Sequence, residues 1–118
     1  DVEVTLIRAF EFPARAYVNS EAYLPDYDEM REDARREAAA YLKEKEDFLV
    51  AEGVRTVAIV TIEGSAANEI ISYAQTAPSA VIAMSTHGRS GVQRWILGSV
   101  TEKVVRHADD PVLVVRGE

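Results

Sequence analysis

Ser85, Thr86, His87 and Ser90, glycines at 88, 91 and 98, and then Ser99 and Thr101 form the stretch of this chain whose residue types invite chemistry. Glycines allow tight turns and let a backbone approach a ligand closely. The first N–H groups of a helix carry partial positive charge, so a glycine-rich strand-to-helix junction suits an anion. Four basic side chains, Arg89, Arg94, Lys103 and Arg106, lie within residues 87–107 against one acidic one, Glu102. A solvated helix face accounts for the same charges. Ser99 followed by Glu102 is equally a capping box, which explains both residues without a ligand. Neither G-x-x-x-x-G-K-[ST] nor G-x-G-x-x-G occurs, the order here being Gly88-Arg89-Ser90-Gly91. His87 beside three hydroxyls suggests a nucleophile and its base. No acid is placed to orient the imidazole, however, and G-x-S-x-G is absent. His87 therefore reads as a turn residue or ligand contact, and no residue is assigned to catalysis. His107, near the end of the last helix, reads as a favourable charge against its dipole.

Composition narrows the classes further. Among 118 residues there is no cysteine, which excludes disulfides, thiolate metal sites and thiol catalysis. Two histidines are too few for a zinc site built from histidine alone. Net charge is −7, and residues 1–53 hold 14 acidic against 7 basic side chains. That balance argues against nucleic acid as a partner, since phosphate backbones reward dense lysine and arginine. Hydrophobic residues at 47% and charged residues at 28% are ordinary for a soluble domain. No apolar run approaches the roughly 18 residues of a membrane span, so no membrane partner is expected. No basic leader precedes an apolar stretch, so no signal peptide is expected and the cytoplasm is the default compartment.

The elements that must position the junction can be read from periodicity. Residues 1–10 (DVEVTLIRAF) alternate like a strand, and residues 13–25, with two prolines and no period, read as a surface loop. Asp26 with Glu29 opens a long helix whose apolar side is Met30, Ala34, Ala38, Tyr41, Leu42, Phe48 and Leu49, and Gly53 supplies its left-handed stop. Thr56 to Ile62 is a second strand, ending at Gly64. Ser65 caps a shorter helix with Ala67, Ile70, Ile71 and Ala74 on its apolar side, closed by Pro78. Ala80 to Met84 is a continuous apolar run, the mark of a strand buried on both faces. After the glycine-rich stretch, a helix from about Ser99 to His107 precedes a last strand, Val112, Leu113, Val114 and Val115. Strands alternating with helices predict a single α/β domain over 1–118, an open, doubly wound, Rossmann-like parallel sheet. Ligands bind such sheets outside the carboxyl ends of the strands, where the junction lies.

Residues 84–118, MSTHGRSGVQRWILGSVTEKVVRHADDPVLVVRGE, closely resemble the carboxyl-terminal part of universal stress proteins. That family's nucleotide pattern, G-x2-G-x9-G-[ST], runs here as Ser85-x2-Gly88-x9-Gly98-Ser99, with serine replacing the first glycine. The resemblance extends from Gly64-Ser65 onward and over nearly the whole chain, weakest in residues 11–55. It implies an adenine-nucleotide binding, stress-response regulatory domain, taking ATP with or without Mg²⁺, and at most slow ATP hydrolysis. By resemblance, Ala9 and Met84 lie along adenine and ribose, with Ser85 and His87 beside them. Gly88, Gly98, Ser99, Val100 and Thr101 surround the phosphates through N–H and hydroxyl groups. The family also implies a homodimer paired through Val112 to Val115, which would cover an apolar strand edge. Family members begin with a further strand and helix, so about 40 residues, one strand–helix unit, are expected beyond those present. The rival expectation is a family member without nucleotide, acting as a dimeric interaction module.

Overall fold

The computed structural model describes residues 2–11, 27–86 and 98–116. Along them alternate β1 (Glu3–Phe10), α1 (Tyr27–Ala51), β2 (Thr56–Glu63), α2 (Ala66–Gln75), β3 (Ile82–Ser85), α3 (Ser99–His107) and β4 (Val112–Val115). β1 pairs with β2 and β3 with β4, both parallel. Parallel neighbours require a crossover, because the chain must return to the same end before the second strand starts. Helix α1 lies in the crossover of the first pair and α3 in that of the second. This is the parallel α/β class that the alternation predicts. The chain divides into an amino-terminal unit, Asp1–Ser65, and a carboxyl-terminal unit, Ala66–Glu118.

In the amino-terminal unit the register runs from Glu3 opposite Thr56 to Phe10 opposite Glu63. Gly64 N–H extends the ladder by donating to Phe10 O at 2.9 Å. Helix α1 packs on both strands, with Ala38 and Leu42, one turn apart, fully buried. Met30, Ala34 and Leu49 are half-buried, as their spacing predicts. The two aromatic members of the predicted stripe depart from it. Phe48 is 62% exposed, and Tyr41 sits at the margin with the Arg8 guanidinium 4.4 Å from its ring centroid and Lys45 Nζ at 5.2 Å. Successive helix positions are about 100° apart, so a residue next to buried Leu42 is turned off the sheet, where cations cover its ring. Near the helix start, Arg31 Nε lies 2.8 Å from Glu63 Oε1 at the end of β2. Both side chains are partly exposed, so the pair contributes only about 0–1 kcal/mol. The predicted cap Asp26 and the predicted loop, residues 13–25, lie outside the described residues.

The carboxyl-terminal unit has its own core. Ala67 and Ala74 of α2, Ile82 of β3 and Val104 of α3 are buried together, with Ile70, Ile71, Met84, Ala108 and Val112 packed around them. The predicted apolar side of α2 is thus the side that packs. The expectation that β3 is buried on both faces is corrected. Ile82 and Met84 point toward the core, whereas Val81 and Ala83 are exposed, and β4 alternates likewise, with Leu113 and Val115 more than half exposed. A continuous apolar run states only that either face tolerates burial; among the described residues of this unit, the helices pack on one. No helix among the described residues is long and apolar enough to cross a membrane.

Helix α1 ends in a reciprocal pair of bonds, Gly53 N–H to Val50 O at 3.1 Å and Val54 N–H to Leu49 O at 3.0 Å. Gly53 sits at φ 100°, the left-handed region that this ending requires. A Cβ there would meet nothing within 4 Å, so any cost of substitution is conformational. Gly53→Ala is therefore expected to destabilise by about 1 kcal/mol, read as a lower urea midpoint with unchanged slope. An unchanged midpoint would contradict this account of the helix stop.

Candidate functional site

Helix α3 begins where β3 ends, and three hydrogen bonds fix that junction. Thr101 Oγ1 donates to Ser85 O at 2.8 Å. Gly98 N–H donates to Thr86 O at 2.6 Å, and Thr86 N–H donates to Val115 O at 2.8 Å. The last residues of both strands and the first turn of the helix are thus joined through Ser85 and Thr86. Thr101 and Thr86 are both buried, 5% and 3% exposed, so their polar groups need these partners in place of water.

The start of α3 differs from the sequence expectation in two respects. Its N-cap is Gly98, at φ −61° and ψ 158°, and no side chain among the described residues caps the helix. Ser99 is already helical, so the capping box with Glu102 does not form. Glu102 instead pairs with Arg106 at 2.8 Å, and its N–H donates to Gly98 O. The Thr101 hydroxyl, expected to face an anion, is given to Ser85. The Gly98 N–H, expected there too, is given to Thr86. Helix geometry leaves the N–H groups of Ser99, Val100 and Thr101 without an acceptor inside the helix. They stand at the positive end of the helix dipole, while Arg106 and His107 occupy its last turn, the end that favours cations.

The predicted residues are placed as follows. Met84 and Ser85 end β3, and Gly98, Ser99, Val100 and Thr101 begin α3, so the carboxyl-terminal unit brings these six to one junction. Ala9 belongs to the amino-terminal unit, near the end of β1 and opposite Ile62. His87 and Gly88 lie outside the described residues. Ser85 occupies ordinary strand backbone with its side chain exposed, so serine fits there without the freedom of a glycine. Thr86, which the sequence offers only as one of the hydroxyls beside His87, joins β4 to the start of α3 through its backbone.

The arrangement is that of a parallel α/β protein with an uncapped helix start at the carboxyl end of a strand. The model of the universal stress protein family matches residues 1–116, and the chain belongs to that family. Universal stress protein MJ0531 of Methanocaldococcus jannaschii is 46% identical over 55 residues, 47% of this chain and 32% of the relative. Universal stress protein YxiE of Bacillus subtilis is 31% identical over 96 residues, 80% of this chain and 64% of the relative. The chain thus matches less than two thirds of the length of either. Among solved structures, protein MJ0577, also of M. jannaschii, superposes with a TM-score of 0.79 at 26% identity, covering 98% of this chain and 76% of that one.

Because φ and ψ at Gly98 suit any residue, its backbone does not call for glycine. Gly98→Ala is expected to fold with stability changed by less than about 1 kcal/mol, the gain through the unfolded chain being offset by alanine's poorer fit at an N-cap, measured as a nearly unchanged melting temperature. A clear fall would mean that the protein itself, not an approaching ligand, needs the space.

Proposed function

We propose that this protein binds an adenine nucleotide, ATP, with its phosphates on the N–H groups of Ser99, Val100 and Thr101, and acts as a homodimeric regulatory domain in the cytoplasm. The observation that carries this is the start of α3: no side chain caps it, and its N-cap is a glycine whose backbone does not require one. A helix start of this kind offers fixed donors and positive potential to a phosphate, and the missing Cβ leaves room for its approach. Gly88 would add a second close approach, and His87 a contact. Mg²⁺, where present, would accompany the phosphates. ATP supplies no chemistry in this proposal, which assigns no general base or nucleophile and is one of binding, not turnover. The unbroken family match over residues 1–116 supports taking 1–118 as one domain.

The homodimer would form along β4. Leu113 and Val115 are 56% and 54% exposed, and a β4 edge not covered by protein would be a liability. The same exposure favours the rival function, an interaction module without nucleotide, as does serine in place of glycine at position 85.

Gly98→Val places a branched side chain where phosphate would approach. ATP affinity measured by calorimetry is expected to fall about tenfold or more, the loss of one hydrogen bond to a charged group. Unchanged affinity would remove phosphate from this junction. Leu113→Asp would set like charges across a β4–β4 pairing, so sedimentation at micromolar protein should report monomer. A persisting dimer would move the interface elsewhere.

A further inference from the structure

We propose that Thr101 is a positioning residue: its buried hydroxyl, by donating to Ser85 O, holds the first turn of α3 where its free N–H groups meet the anion. The proposal rests on the nucleotide reading for the identity of that anion, and on the junction's own bonds for the rest. A helical threonine commonly turns its hydroxyl to a carbonyl three or four residues back. Thr101 instead reaches 16 residues back, to the last residue of β3. Helix α3 has nine residues and no side-chain cap. Helices shorter than about 12–15 residues are marginal alone, and a missing cap removes a further anchor at the first turn.

What fixes that turn therefore comes from outside the helix. Val104, with no exposed surface, anchors the apolar side one turn further on, and Thr101 lies three residues before it on the same side. Between them, an apolar anchor sets the helix against the core and a polar one sets its start against the strand end. Gly98 N–H to Thr86 O repeats the constraint one residue past the end of β3. Donors held in place before a ligand arrives bind it more tightly than donors that must first be ordered. The side chain of Thr101 thus serves the site without touching the ligand, while its N–H remains available to it.

Thr101→Val keeps the shape and branching and removes the donor; Thr101→Ser keeps the donor. Amide exchange by NMR on the ligand-free full chain reads the positioning directly. In Thr101→Val, protection of the Gly98 and Glu102 amides is expected to fall about tenfold, while Ala108, bonded to Val104 O at the far end of the helix, holds. ATP affinity should fall about five- to tenfold in the same variant, the worth of one buried hydrogen bond, and Thr101→Ser should restore both. Unchanged protection at Gly98 and Glu102, an equal loss at Ala108, or unchanged ATP affinity would each overturn the proposal. Wild-type protein that binds no ATP would remove the nucleotide reading instead, with the exchange result alone deciding the positioning role.

Discussion

The carboxyl-terminal unit depends on the way β3 hands the chain to α3. Ser85 and Thr86 follow directly from a strand whose inward residues lie in the core, so their carbonyls are fixed in space before the helix begins. Thr101 and Gly98 donate to those two carbonyls, and Thr86 donates in turn to the end of β4. Each bond satisfies a polar group that burial would otherwise penalise by about 1–3 kcal/mol. Satisfying them also determines which helix amides remain free. Gly98 spends its N–H on the junction, and Ser99, Val100 and Thr101 keep theirs. The electrostatics of the site thus follow from the packing of the unit.

Charge is distributed to match. Acidic residues crowd α1, where they face solvent in i,i+3 and i,i+4 pairs such as Arg36–Asp33 and Lys43–Asp47. The side chains of Glu46 and Asp47, hydrogen-bonded to Lys43, raise its pKa above the usual lysine value. Such pairs add little to stability. On α3 the acid Glu102 is occupied by Arg106, and a local ion pair of this kind leaves the helix start less negative than the overall charge suggests.

Much of this was legible in the sequence, for identifiable reasons. The apolar side of α2, the parallel strand–helix alternation and the Gly53 stop rest on local rules: periodicity, crossover and a positive φ. The glycine spacing through Gly98-Ser99 carried the family. What escaped needed tertiary partners. Ser99 and Glu102 have the spacing of a capping box, yet the helix starts one residue earlier than that box requires, because Gly98 is tied to Thr86. The Thr101 hydroxyl read as a ligand donor, since nothing local names an acceptor 16 residues away. Val81 and Ala83 read as core because a short apolar run does not state which face is covered. Phe48 neighbours half-buried Leu49 and still faces solvent, as at about 100° per residue it is turned well off the side that carries Ala38, Leu42 and Leu49.

The claim at the centre is that phosphate binds on the free amides of α3. Backbone amide shifts of the full chain, followed on titration with ATP and separately with adenosine, test it directly. The account predicts that ATP moves the Ser99, Val100 and Thr101 signals far more than adenosine does, because only ATP brings charge to the helix start. Equal shifts from both ligands at these residues, or shifts from ATP that spare them, would contradict it.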